Sequence, residues 1–402
     1  MEVPKGFLFS GLNCGIKRYR KDLAIACSTS DCVAAGVFTT NVAKAAPILY
    51  NMNLLAENCT KIRVIVVNSK IANSCTGQQG LENAYRTAQK AAQVLQIDPR
   101  SVLLASTGII GLQLPMDKIE AGIEAASKCL NEDPTPFAEA ITTTDTFIKM
   151  TSRRIEIDGK RVHILGIAKG SGMIHPNMAT VLSFLFTDAN ISPDALKKAL
   201  KDSVEKSYNM IDVDGDTSTN DMVLALANAQ AGNERVEEGS PEFPKFFESF
   251  HEINVELAKI IVKDGEGATK LIEVRVINAP DELSARRIAR SIVSSNLVKT
   301  AIHAQDPNWG RIVAAAGCSG VNFDLAKLDL YIGDGKNTIT VLKCGDPCEL
   351  NEEEASSVLS ASEIVLTVDL NEGVHSATAW GCDLSEEYIK KNGRYKAWAK
   401  TL

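Results

Sequence analysis

Gly166-Ile167-Ala168-Lys169-Gly170-Ser171-Gly172-Met173-Ile174-His175-Pro176-Asn177-Met178-Ala179-Thr180 leads without a break into Val181-Leu182-Ser183-Phe184-Leu185-Phe186. A glycine-rich, proline-containing loop thus runs straight into an apolar strand, with Thr180 at the junction. Just upstream, residues 154–167 read as a hairpin. Ile155 and Ile157 alternate, Asp158-Gly159 turns the chain, and Val162 and Ile164 alternate again. Lys169-Gly170-Ser171-Gly172 invites a phosphate-loop reading, but the G-x₄-G-K-[ST] spacing is absent and a strand, not a helix, follows. Taken alone, Thr180 is a strand-opening threonine, a type of position that is usually structural.

Outward from this segment, strand-like and helical runs alternate, which predicts an α/β or α+β class. Residues 63–68 form a short apolar strand, and Thr76-Gly77 makes a turn. Leu81, Ala84, Tyr85, Ala88, Ala91 and Leu95 then recur at helical spacing. A strand over 101–107 ends at Gly108. Ser192-Pro193-Asp194 starts a helix, with serine as N-cap and proline at the first helical position. Strands are expected at 222–227 and 271–277, with a helix over 255–262 between them. Near Pro280 the rhythm restarts with a helix and strands over 328–332, 338–341 and 364–370, which places a soft domain boundary near 280.

The composition narrows the function classes. Of 402 residues 45% are hydrophobic and 23% charged, as in an ordinary folded protein. A formal charge of −7 argues against broad contact with nucleic acid or anionic membrane. The opening Met1-Glu2-Val3-Pro4-Lys5-Gly6-Phe7 lacks the basic and apolar regions of a secretory signal, and the longest apolar run is too short to span a bilayer, so a cytoplasmic location is expected. The ten cysteines are scattered, and reduced, mostly buried thiols are expected, with Cys27 and Cys32 flanking a polar turn. Cys344 and Cys348 have no second pair or suitably spaced histidine, so no metal site is expected. Asp212-Val213-Asp214-Gly215-Asp216 resembles a calcium loop, but Thr217 and Val223 stand where glycine and glutamate are needed. A polar turn near the active site is the better reading. Gly333-Asp334-Gly335-Lys336-Asn337 reads as a turn between strands.

The loop around Thr180 resembles the processing site of the ornithine acetyltransferases (glutamate N-acetyltransferases of arginine biosynthesis), self-processing enzymes whose chain breaks at an Ala-Thr bond. The resemblance extends over nearly the whole chain. It runs through Pro4-Lys5-Gly6-Phe7, Arg20-Lys21-Asp22-Leu23-Ala24, Gly36-Val37-Phe38-Thr39-Thr40-Asn41 and Ala45-Ala46-Pro47. Ser106-Thr107-Gly108-Ile109-Ile110-Gly111, Thr143-Thr144-Asp145-Thr146 and Asp216-Thr217-Ser218-Thr219-Asn220-Asp221 follow. Asp264-Gly265-Glu266-Gly267-Ala268-Thr269-Lys270, Asp306-Pro307-Asn308-Trp309-Gly310-Arg311 and Gly381-Cys382-Asp383-Leu384 complete it.

This resemblance implies a layered helix/sheet/sheet/helix sandwich like that of N-terminal-nucleophile enzymes, with a smaller C-terminal α/β domain. It implies self-cleavage between Ala179 and Thr180 into residues 1–179 and 180–402, two alpha and two beta fragments assembling as a heterotetramer. Thr180 would be the nucleophile and, through its own freed amine, the base. Thr107 and Gly108 would form the oxyanion hole, and Thr143, Lys169, Thr180, Glu266 and Asn392 would contact substrate. The reaction implied is acetyl transfer from N-acetylornithine to glutamate, with acetyl-CoA as a co-substrate in bifunctional members and no other cofactor. The residue types fit: a lysine suits an α-carboxylate, a glycine-flanked glutamate suits an amine, and a threonine amine near its reference pKa of about 7.7–8.0 can deprotonate its own hydroxyl. His175 then serves only as a loop residue. The alternative is a self-processing aminopeptidase or amidase of related architecture, with water as acceptor; Lys169 and Glu266 favour an amino acid.

The chain departs from the family pattern in three places. Lys70 and Ile71 stand where glycine and asparagine are usual, which predicts an altered loop. Ala397 replaces a C-terminal hydroxyl residue after Asn392-Gly393-Arg394-Tyr395, so a substrate contact worth about 0.5–1.5 kcal/mol is lost with the chemistry intact. His303 replaces a glycine-like position before Ala304-Gln305-Asp306.

Overall fold

The computed structural model describes residues 1–175 and 181–393. Nine strands belong to its larger part: β1 (Phe7–Leu12), β2 (Leu23–Phe38), β3 (Ile62–Ile71), β4 (Val102–Ile109), β5 (Lys149–Ile157), β6 (Lys160–Lys169), β7 (Leu182–Thr187), β8 (Ile211–Asp212) and β9 (Met222–Ala227). Six helices accompany them: α1 (Ala46–Glu57), α2 (Gly77–Leu95), α3 (Met116–Ser127), α4 (Thr135–Ile141), α5 (Pro193–Lys206) and α6 (Phe243–Lys263).

The organising element is β2. Its first half pairs antiparallel with β1 and β3, and β3 lies parallel to β4. The register breaks between Cys27 and Cys32. The second half pairs with β9, and the order then runs β9, β7, β6, β5. One strand therefore serves two sheets, which fold face to face. The expected polar turn at 28–31 is instead the crossover of this strand: Thr29 and Asp31 are exposed while Ser28 and Cys32 are buried. The interior between the sheets is aromatic. Phe7 and Phe9 of β1 each meet Phe186 of β7 edge-on at 5.2 Å, and Phe137 of α4 meets Phe184 at 5.4 Å. Strand alternation explains the layers. Leu182, Phe184 and Phe186 point to this interior, whereas Leu185 points to the core made with α5 and α6. Helices α1–α3 cover the other sheet. The helix/sheet/sheet/helix order is the one expected.

The smaller C-terminal part holds β10 (Leu271–Ala279), β11 (Asp329–Gly333), β12 (Thr338–Lys343), β13 (Asp346–Pro347), β14 (Glu363–Asp369) and β15 (His375–Cys382), in the order β13-β12-β11-β14-β10-β15-β8. Its helices are α7 (Glu282–Val293), α8 (Asn296–His303), α9 (Trp309–Gly317), α10 (Glu352–Leu359) and α11 (Glu386–Asn392). Strand β8, from the larger part, completes this sheet beside β15 and ties the two parts together.

Local signals account for most elements. Ser192 Oγ accepts from the Ala195 N–H at 3.3 Å and starts α5. Asp158 and Gly159, both with positive φ, turn β5 into β6. Helix α6 begins a dozen residues before the expected 255, because Phe243, Phe246 and Phe250 continue its buried stripe. The thiols correct another expectation. Cys27, Cys32 and Cys382 are buried, but Cys75, Cys129, Cys318 and Cys344 are exposed. No helix among the described residues is long and apolar enough to cross a membrane.

Phe186 has no exposed surface and touches three other rings. Phe186→Ala is expected to lower the unfolding free energy by about 3–5 kcal/mol, read from denaturant titration.

Candidate active site

Parallel pairing of β3 with β4 places Lys70 opposite Gly108. Gly108 has φ +129°, and a Cβ there would lie 2.2 Å from the Lys70 carbonyl carbon, so only glycine fits. Lys70 itself takes φ +85°, the conformation that the glycine usual at this position would adopt freely. The expected altered loop is thus a strand end: Lys70 and Ile71 stay in register with Gly108 and Ile109.

Strand β6 ends at Lys169, whose Nζ stands 3.5 Å from Thr107 Oγ1. The residues after α6 supply Glu266. A Cβ on Gly172 would come within 2.6 Å of the Glu266 carboxyl carbon, so Gly172 leaves the room that this side chain needs. Asn392 of α11 donates from Nδ2 to Glu266 Oε2 at 2.8 Å. Thr107, Gly108, Thr143, Lys169, Glu266 and Asn392 all line one cavity of about 200 Å³, and Val181 lines it as well. Ala179 and Thr180, the expected cleavage pair and nucleophile, lie outside the described residues, as does Ala397.

Both flanks of the Thr180 segment are held. The Met173 and Ile174 N–H groups donate to the Asp214 carboxylate at 2.6 and 2.8 Å. His175 Nδ1 is 2.7 Å from Asp212 Oδ1, and Thr217 Oγ1 donates to the His175 carbonyl at 2.7 Å. On the far side, Val181 O accepts from the Met222 N–H at 2.9 Å. The carboxylates that mimic a calcium loop therefore tie down the approach to Thr180. Burial would raise the Asp212 carboxyl, but His175 and Lys299 outweigh it and hold it below the ordinary range. At Asp214 burial wins and pushes the carboxyl up.

Beneath the cavity lies a buried charge network that the sequence reading did not single out. Lys149 Nζ donates to Asp145 Oδ1 at 2.6 Å and to Asp264 Oδ2 at 2.5 Å. Asp145 also accepts from the Thr143 N–H at 2.9 Å and the Gly170 N–H at 2.8 Å. Among the run 142–146, the Thr142 hydroxyl donates to the Glu139 carbonyl and the Thr146 hydroxyl to Asp264, leaving Thr143 and Thr144 to line the cavity.

Thr144, Met173 and Ser218 to Asp221 are further lining residues not assigned a role from sequence. A signal existed for the last group, a polar run entering an apolar strand. Since β7 and β9 lie parallel with Leu182 opposite Met222, residues entering β9 lie beside Val181. Asn220 Nδ2 donates to the carbonyls of Ala72 and Ser106 at 2.6 and 2.8 Å, steadying β4 just before Thr107. His303 sits elsewhere: its Nδ1 is 2.7 Å from Asp383 Oδ2, and Asp383 in turn receives the Thr269 and Lys270 N–H groups.

Burial alone would raise the Asp145 carboxyl, but the Lys169 and Lys149 ammonium groups outweigh it and hold it well below the usual carboxylate range. A depressed folded value gives stability that is complete above the unfolded titration near 3.8 and is lost as pH falls through the folded value. Asp145→Asn is expected to cost about 3–5 kcal/mol at neutral pH, since two ammonium groups are left with one buried carboxylate. In denaturant titrations this gap should narrow as pH is lowered from about 5 to about 2.

The model of the ArgJ family matches residues 8–397. The arginine biosynthesis bifunctional protein ArgJ of Thermotoga neapolitana is 58% identical over 396 residues, covering 98% of this chain and 100% of the relative. Its counterpart in Caldanaerobacter subterraneus is 49% identical over 397 residues, with 98% of each covered. A crystal structure of the arginine biosynthesis bifunctional protein from Bacillus halodurans is similar with a TM-score of 0.51 and 43% identity, covering 53% of this chain and 98% of that one. This chain belongs to the ArgJ family.

Proposed function

We propose that this chain is a glutamate N-acetyltransferase of arginine biosynthesis, which moves acetyl from N-acetylornithine to glutamate through an ester on Thr180. The observation that carries this reading is the convergence on one cavity of six residues from five separate segments, together with Val181, the neighbour of Thr180.

The chemistry begins with self-cleavage. The Thr180 hydroxyl attacks the Ala179 carbonyl, the acyl group shifts from nitrogen to oxygen, and water hydrolyses the ester. The freed α-amine, with a reference pKa of about 7.7–8.0, then takes the proton of its own hydroxyl. Thr180 accepts acetyl from N-acetylornithine, ornithine leaves, and the glutamate amine attacks the ester. Each step passes through an oxyanion, for which the Thr107 hydroxyl and the Gly108 N–H are the donors. Lys169 receives the substrate α-carboxylate, Glu266 with Asn392 receives the ornithine amine, and Thr143 lines the same space. The solved Bacillus relative supports two fragments, since nearly all of that chain corresponds to about half of this one. Fragments 1–179 and 180–402 assemble as two alpha and two beta chains in the cytoplasm. Acetyl-CoA serves as a second acetyl donor, in keeping with the word bifunctional in the relatives' names.

Acetyl exchange measured with ornithine, glutamate and water as acceptors, and with acetylornithine and acetyl-CoA as donors, tests the reading. Transfer to glutamate should dominate; hydrolysis as the main outcome would favour an amidase. Thr180→Ala should stay one chain by intact mass and carry no acetyl group. Thr107→Val should slow turnover roughly 10²–10³-fold while leaving substrate affinity nearly unchanged.

A further inference from the structure

Lys149 takes no part in the chemistry above, yet its side chain is fully buried and it meets two carboxylates that are themselves 0% and 3% exposed. It opens β5 opposite Ala168, so it sits beside the backbone that presents Lys169. Each carboxylate it holds is used a second time. Asp145 fixes the Thr143 and Gly170 N–H groups. Asp264 receives the Thr146 N–H at 3.0 Å, and its carbonyl accepts from Ser171 Oγ at 2.6 Å. The Ser171 carbonyl in turn accepts from the Glu266 N–H at 2.9 Å. The loops carrying Thr143, Lys169 and Glu266 are thereby joined through one ammonium.

The charges point the same way. Asp145 feels the charges of Lys169, Lys149 and Lys17, and Asp264 meets Lys149. With Lys149 spent on both carboxylates, the Lys169 ammonium reaches toward Thr107 and the cavity. Without Lys149, Asp145 would keep Lys169 as its strongest remaining cation and would draw it away from the cavity. We infer that Lys149 is a positioning residue for substrate recognition: it holds the three binding loops in register and releases Lys169 to meet the substrate carboxylate. This inference rests on the assignment of Lys169 and Glu266 as substrate contacts.

The test is steady-state kinetics of the full protein as Lys149→Met, Lys149→Met/Asp145→Asn and Lys169→Met, with thermal unfolding as a check on folding. Lys149→Met should raise KM for both acetylornithine and glutamate roughly tenfold or more, with a much smaller change in kcat. Adding Asp145→Asn should recover part of that loss, because it removes one uncompensated negative charge. A merely structural lysine would lower the unfolding temperature in Lys149→Met and regain it in the double variant, with KM for both substrates unchanged throughout. Unchanged KM in Lys149→Met, or further loss in the double variant, would overturn the inference. If Lys149→Met does not fold, the double variant decides: raised KM with kcat largely kept supports the inference, and wild-type KM refutes it. Lys169→Met with unchanged KM would instead remove the substrate assignment beneath it.

Discussion

A carboxylate withdrawn from water costs several kcal/mol unless charge and hydrogen bonds replace the lost solvent. Asp145 meets that condition through Lys149, the charge of Lys169, and the N–H groups of Thr143 and Gly170. Three of these four groups belong to segments that line the cavity or adjoin it. Satisfying one buried anion and assembling the site are thus the same structural event, and Asp264 extends it to the Glu266 loop through Ser171.

The sandwich supplies the frame in which this happens. Because β2 serves both sheets, β4 from one and β6, β7 and β9 from the other bring their ends to a common mouth. The Phe7, Phe9, Phe137, Phe184 and Phe186 cluster closes the space behind, where edge-on rings resist sliding. The chain approaches Thr180 under the hold of Asp212 and Asp214 and leaves it through Val181, already in contact with β9. On the proposed reading, the Thr180 hydroxyl attacks its own peptide bond and later a substrate, and such a role needs fixed flanks of this kind.

Elements whose signals are local were legible in the residues. The 154–167 hairpin, the capped start of α5 and the strands at 222–227 and 271–277 needed only periodicity and turn chemistry. The 16-residue β2 was hidden, because a polar stretch at its crossover looks like a loop until two sheets claim its halves. The exposed cysteines were misjudged for a related reason: small apolar neighbours in sequence, as around Cys318, do not say whether a helix face is covered.

The residues alone pointed to the family, to the chemistry proposed for the glycine-rich loop before Thr180, and to the types of side chain that its proposed substrates would require. Those properties are carried by short ordered motifs and by the intrinsic reactivity of each group. Tertiary structure alone decided that Thr107, Thr143, Lys169, Glu266 and Asn392 share one cavity, and that Lys149, Asp145 and Asp264 underlie it. Lys149 meets Asp145 four residues away but Asp264 more than a hundred residues on, and that second pairing leaves no periodic trace in the sequence. It exists only where packing removes water and brings opposite charges within hydrogen-bond reach.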